Sequence, residues 1–271
     1  MVDCGEGTQT RMVQQGLAMK RLSHIFITHT HGDHCFGLPG LISTMGLLGR
    51  TSQLHIHAPQ TLEPFLQQTL DTFCQDMDYK VILHCVDTTQ HVLVYEDRSL
   101  EVWTLPLRHR IPCCGYLFRE KQGARHIRRE MIDCYEIPVS QINNIKAGAD
   151  WQLPDGSIIP NTKLTTDPSP TRSWAYVSDT TYTPRLIPML KGVNLLFHEA
   201  TFGKDDELRA RQTFHSTSIQ AATIARKAHV GQLCIGHYSA RIDDERKLLT
   251  EAKSIFENTI LANEKLKIVI I

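Results

Sequence analysis

At 271 residues, with 41% hydrophobic and 21% charged side chains, the chain can bury a full core as one large domain or two fused layers. Its 29 basic and 29 acidic residues cancel, which excludes a global electrostatic footprint for nucleic acid, so any RNA or DNA contact must be local. Every apolar stretch is broken well before the roughly eighteen residues that a membrane-spanning helix needs, and no basic-then-apolar signal opens the chain. A cytoplasmic protein with no membrane partner is expected. The eight cysteines show no CxxC spacing and read as reduced, mostly buried thiols, with Cys113 and Cys114 on opposite faces of one strand.

Strands and helices alternate without long linkers or repeats. The pattern predicts a strand near 22–28, a helix near 37–49, a strand at 54–58 and a helix near 61–73. Strands at 81–86, 92–95, 100–107 and 114–119, separated by short polar turns, predict an antiparallel-rich sheet. The second half adds strands at 173–177, 193–197 and 232–235, helices near 216–229 and 243–257, and a last strand at 267–270. In the 216–229 helix, Ala221, Ile224, Ala225 and Ala228 fall on one face and read as core. Strand-rich blocks each followed by helices suggest two packed sheets with helices outside, an α/β four-layer αββα sandwich. Ligands at strand ends would then meet at one rim.

The segment Thr28-His29-Thr30-His31-Gly32-Asp33-His34 places three imidazoles and a carboxylate directly after the apolar run Ile25-Phe26-Ile27. Such crowding is poor core material, and His with Asp is a ligand set of hydrolytic zinc, in a number that allows two nearby metal sites. Gly32 lets the chain fold tightly enough for Asp33 and His34 to turn back toward His29 and His31. Further candidates close other strands: His109, Asp179 and His237. Each alone could be a turn residue or cap.

Together the motifs resemble the metallo-β-lactamase superfamily and, within it, the ribonuclease Z family, over nearly the whole chain. Asp3-Cys4-Gly5-Glu6-Gly7-Thr8-Gln9 is similar to the family's opening DCGEGTQ, and residues 28–41 to its HxHxDH signature. Pro106-Leu107-Arg108-His109, with Gly115-Tyr116, matches a third motif. Ser178-Asp179-Thr180, His198-Glu199-Ala200-Thr201-Phe202, His215-Ser216-Thr217 and His237-Tyr238-Ser239-Ala240-Arg241 match the later ones. HxHxDH marks only the superfamily, whereas DCGEGTQ, HEATF and HST together point to the branch that processes tRNA.

The resemblance implies two Zn²⁺ per chain. His29, His31 and His109 would hold one, and Asp33, His34 and His237 the other, with Asp179 bridging and Asp33 also orienting the nucleophile. It implies His215 as proton donor to the leaving 3′ oxygen, oriented by Glu199. Ser216 or Thr217 should in any case cap the following helix. The implied activity is endonucleolytic removal of 3′ trailers from precursor tRNA, leaving a 3′ hydroxyl on the tRNA and a 5′ phosphate on the trailer, by a homodimer. Alternatives are another hydrolase of the superfamily, a small-molecule phosphodiesterase or lactonase, and an inactive, truncated RNA-binding relic.

Several positions depart from the family pattern. The chain opens at the DCGEGTQ segment, so the sandwich is expected to lack the family's first N-terminal strands, which would leave a sheet edge unpaired. Ser178 stands where Gly is usual, a change that matters only at positive φ. An insertion at about 121–148 within the single domain occupies the place of the family's tRNA-binding arm. Arg125, Arg128 and Arg129, beside Arg119 and Lys121, make it basic and suited to a phosphate backbone, although such runs are usually only solvated. Ile137-Pro138-Val139-Ser140 replaces a Gly-Pro element of the arm.

Overall fold

The structure, a computed structural model, describes residues 1–270. Helix α1 (Thr8–Gln14), which the sequence pattern did not single out, precedes β1 (His24–Phe26), and the short α2 (Gly32–Cys35) leads into α3 (Leu38–Leu47). Then come β2 (Leu54–Pro59), α4 (Glu63–Phe73) and β3 (Val81–Val86). These three strands form one sheet in the order β1-β2-β3, all parallel. Residues 81–86 were expected in an antiparallel block. They pair instead with β2, because α4 is a crossover long enough to return the chain in the parallel sense.

The chain then enters a seven-stranded sheet through β4 (Leu93–Glu96), β5 (Leu100–Pro106) and β6 (Cys114–Glu120). A second compact unit, Asp97–Leu100 with Arg119–Arg172, follows, and it reaches further than the 121–148 insertion. It contains β7 (His126–Ile127), α5 (Arg129–Cys134), α6 (Val139–Lys146), β8 (Trp151–Gln152), β9 (Ile158–Ile159), α7 (Asn161–Leu164) and β10 (Thr165–Thr166). Its own small core is Ile137, Ile145 and Leu164, flanked by Trp151 and Tyr135.

The first unit resumes with β11 (Ser173–Val177), β12 (Leu195–Glu199), α8 (Glu207–Thr213), α9 (Ser218–Lys227), β13 (Gln232–Gly236), α10 (Glu245–Lys253) and β14 (Thr259–Leu261). The large sheet runs β14-β13-β12-β11-β6-β5-β4, with β11 to β14 parallel and β4 antiparallel to β5. The strand expected at 267–270 does not form. Thr259–Leu261 takes the edge beside β13 instead, with Thr259 buried, whereas Val269 is exposed and an apolar run without a partner strand has no ladder to join.

Alternation along the strands explains the layering. Ile25, Ile27, Leu54 and Ile56 face Leu38, Leu41, Ile42 and Met45 of α3 in one core. Ala175, Val177, Leu196, Leu233 and Ile235 face Ala221, Ile224 and Ala225 of α9 in another. The opposite faces meet between the sheets, where Phe26 packs 5.2 Å from Tyr116 and 5.3 Å from Phe118 by ring centroids. The layering is the expected αββα sandwich. All eight cysteines are free, six of them buried. No helix among the described residues is long and apolar enough to cross a membrane.

The inter-sheet face of the small sheet also carries His24, His55, His57 and His84, stacked ring on ring. Burial, then the neighbouring His84, His24 and His55, push His57 from its ordinary 6.5 down to about 3. Between those values the unfolded chain binds a proton that the folded chain refuses, so His57 costs stability as pH falls through that window and nothing above it. The slope per group approaches 1.4 kcal/mol per pH unit. His57→Gln should therefore flatten the loss of unfolding free energy between about pH 7 and about pH 5 in denaturant titrations. An unchanged slope would show that His57 is not excluding the proton.

Candidate metal centre

The centre forms where β1 ends. Thr28 hands the backbone to His29, and the turn at α2 brings Asp33 and His34 back over it. Gly5 makes this possible, since a Cβ there would collide with the Asp33 carbonyl oxygen. His109 arrives from the loop after β5, Asp179 from the end of β11 and His237 from the end of β13. His237 adopts φ 60, a left-handed conformation that non-glycine residues tolerate only when their surroundings hold it. Ser178 is not among the positive-φ residues, so its side chain adds no backbone strain, and its Oγ accepts a 3.3 Å bond from Thr28 Oγ1.

The ligand atoms gather in two groups that share Asp179. His31 Nδ1 lies 3.0 Å from His29 Nε2 and 3.3 Å from His109 Nε2, with Asp179 Oδ2 3.7 and 3.8 Å from the latter two nitrogens. In the other group Asp33 Oδ2 is 3.5 Å from His34 Nε2 and 3.9 Å from His237 Nε2. Asp179 reaches these through Oδ2, 3.6 Å from His34, and Oδ1, 3.3 Å from His237. A tetrahedral ion bound at about 2.0–2.1 Å has ligand atoms about 3.4 Å apart, so these spacings fit a metal at the centre of each group. His34 Nε2 is buried and without a hydrogen-bond partner, as a nitrogen reserved for a metal would be.

Outward bonds fix four of the five rings, His31 being the exception. His34 Nδ1 meets Asp3 Oδ2 at 2.8 Å, and Asp3 accepts from the Thr28 amide and hydroxyl. His29 Nδ1 pairs with Thr28 Oγ1, His237 Nδ1 with Thr201 Oγ1, and His109 Nδ1 with the Phe214 carbonyl oxygen. These contacts leave the opposite nitrogens for the centre and set their tautomers. Asp3, Thr28 and Thr201 have no ligand role in the sequence reading. Asp3 and Thr201 do lie inside the DCGEGTQ and HEATF motifs, which is the signal that could have found them.

The electrostatics suit cation binding. Burial holds His29 down to about 3 and also lowers His109. Burial opposes a charge on His34, but the carboxylates of Asp179, Asp3 and Asp33 around its ring outweigh it and push it up to about 12, a proton that a bound cation would displace. The neighbouring imidazoles of His237 and His34 hold Asp33 well below the usual carboxylate range. Burial would raise Asp179, yet His34 and the other imidazoles keep it low. Both carboxylates therefore stay ionised at neutral pH, as ligands must.

Beside the centre, His215 Nδ1 lies 3.1 Å from Glu199 Oε1, and the His215 ring stacks 5.4 Å from His237. Glu199, at the end of β12 and fully buried, also accepts from the amides of Thr180, Thr201 and Ser216 and from the Thr201 hydroxyl. Thr217 caps α9 in a capping box with Gln220. Ser216 instead donates to the Thr180 carbonyl oxygen. Arg125, Arg128 and Arg129 belong to the second unit and to neither ligand group. Arg128 and Arg129 are exposed, whereas Arg125 is paired with Asp167 at 2.7 Å and donates to Thr165.

Two sheets with ligands converging from the ends of their strands define a metal-using hydrolase of the metallo-β-lactamase fold. Solved structures with this architecture cover nearly the whole chain. Human tRNase Z, short form (ELAC1), superposes with a TM-score of 0.68 at 23% identity over 99% of this chain and 87% of its own. The metallo-β-lactamase fold protein YhfI of Bacillus subtilis gives 0.64 at 19% identity over 97% and 83%. The family model of anti-Pycsar protein Apyc1 matches residues 1–113. Ribonuclease Z of Phocaeicola vulgatus is 57% identical over 99% of this chain and 87% of its own length, and that of Bacteroides thetaiotaomicron 54% over 100% and 85%. The chain belongs to the ribonuclease Z family.

Proposed function

We propose that this chain is the endoribonuclease that removes 3′ trailers from precursor tRNA, using two Zn²⁺. His29, His31 and His109 would hold one ion, Asp33, His34 and His237 the other, and Asp179 would serve both. The observation that carries the reading is Asp179, whose two oxygens face both groups of imidazoles, with the His215–Glu199 pair alongside. Bound there, two zinc ions would lower the pKa of a water and offset charge developing on the phosphoryl oxygens. Asp33, with its side chain 69% exposed, would orient the attacking water. His215 gives its proton to the ribose 3′ oxygen as the P–O3′ bond breaks, while Glu199 holds its Nδ1 and stabilises the charged ring. The tRNA leaves with a 3′ hydroxyl and the trailer keeps the 5′ phosphate.

The eight free thiols support a reducing, cytoplasmic setting. The family resemblance supports a homodimer in which the second unit serves as the tRNA-binding arm. Arg128 and Arg129 would supply its phosphate contacts, and Arg125, already paired with Asp167, a weaker one.

Mapping the cut made in a labelled precursor tRNA tests the reading, with cleavage immediately after the discriminator region as the expected result. A small-molecule phosphodiesterase, a lactonase or an inactive relic would leave the RNA intact. Neutralising Arg125, Arg128 and Arg129 together should weaken binding and flatten its salt dependence by about two units, one for each unpaired arginine. If hydrolysis of bis-p-nitrophenyl phosphate fell in step with RNA cleavage, the arm assignment would fail.

A further inference from the structure

The loop between β5 and β6, the loop after β11 and the turn after β3 border an open cavity of about 440 Å³. Three arginines line it, Arg108, Arg110 and Arg185, together with Thr88, Thr89 and the metal-facing His109. All three are exposed, and among the described residues none of their guanidinium groups has an ionic or hydrogen-bonded partner. No acidic side chain lines the cavity. Asp87, next in sequence to Thr88, is occupied by the amide and hydroxyl of Thr89 at 2.8 and 2.6 Å.

The loops that present these arginines are tied down. The Leu107 amide closes the first loop onto the Cys113 carbonyl oxygen at 3.2 Å. The Arg108 amide donates to Thr180 Oγ1, and the Thr181 amide returns a bond to the Arg108 carbonyl oxygen. Arg185 sits in the 3-10 turn Pro184–Leu186, whose Leu186 amide bonds to the Thr183 carbonyl oxygen. The backbone is therefore organised while three cations share one cavity with no acidic side chain among its lining residues. An anion with several oxygens supplies the missing counter-charge and matches the planar guanidinium fork.

We propose that Arg108, Arg110 and Arg185 form a subsite for a phosphodiester of the RNA strand adjoining the scissile bond. The inference rests on the ribonuclease reading above and deepens it. His109 lines the cavity and also places Nε2 in the ligand group, so the cavity adjoins the centre and a phosphate neighbouring the reacting one is the anion nearest to it. The neighbouring phosphate comes either from the trailer or from the acceptor strand of the tRNA. Both offer the same chemistry.

The test pairs Arg110→Gln/Arg185→Gln with Arg110→Lys/Arg185→Lys, sparing Arg108 beside the ligand His109. Cleavage of precursor tRNA with a single-nucleotide trailer is compared with that of a longer-tailed one across a salt series, with metal content measured throughout. The Gln variant should raise KM about tenfold. It should also flatten the log–log salt dependence of kcat/KM by about 0.7 for each phosphate that is no longer neutralised. The Lys variant should recover the salt slope and only part of the affinity, since it keeps charge and loses the fork. An effect confined to the longer trailer assigns the site to the trailer, and an equal effect on both substrates assigns it to the acceptor strand. Unchanged KM and slope on both, or loss of kcat together with metal, overturns the proposal. Failure of the underlying reading is separate: the unaltered protein would then cleave neither RNA.

Discussion

Asp179→Ala should take the protein from two tightly held metal ions per chain toward none, a larger loss than removal of any single imidazole. The reason is geometric. Asp179 Oδ2 lies within 3.6–3.8 Å of His29, His34 and His109, and Oδ1 lies 3.3 Å from His237, so one carboxylate neutralises both groups. Replacing His31 would deprive only the first group, leaving Asp33, His34 and His237 to hold an ion. Elemental analysis of the metal-replete variant, beside circular dichroism to verify folding, checks the result. One metal retained in Asp179→Ala, or at most one in the unaltered chain, would break the bridging assignment.

The second large effect separates chemistry from binding. His215→Ala should lower the cleavage rate by roughly 10²–10⁴ while metal content and RNA affinity stay close to those of the unaltered protein. His215 meets the edge of the His109 ring, stacks on His237 and comes within 4.8 Å of Asp179, while its hydrogen bonds run outward to Glu199 and Thr201. Glu199→Gln should be worse for folding than His215→Ala, because Glu199 accepts three backbone amides in a fully buried position. Normal turnover by a well-folded His215→Ala protein would reduce the imidazole to a neighbour of the centre.

Much of the site is legible before any folding is considered, and the reasons are local. Four of the seven candidate ligands lie between His29 and His34, where one short turn suffices to bring them together. The parallel core strands and the long helices announce themselves through uninterrupted apolar runs and helical spacing, which is why 173–177 matches β11 residue for residue. The failures have equally local causes. Residues 81–86 have strand composition whichever sheet receives them, and composition carries no pairing direction. Residues 267–270 are apolar enough for a strand but find no partner, because a strand is stabilised by its neighbour.

The sequence by itself determined the chemistry available: a crowd of imidazoles and carboxylates at strand ends, a neutral protein with one basic insertion, and thiols free of any pairing motif. Only the tertiary structure decided which of those groups meet. It brought Asp3 to His34 across 31 positions and Thr201 to His237 across 36, and it seated Arg185 in one cavity with Arg108 and Arg110. It also spent Arg125 on Asp167 while leaving Arg128 and Arg129 exposed. The physical reason is that a residue type states which bonds a side chain can make, whereas burial, and the requirement that buried polar atoms find partners, selects the bond that is made from groups the chain order keeps far apart.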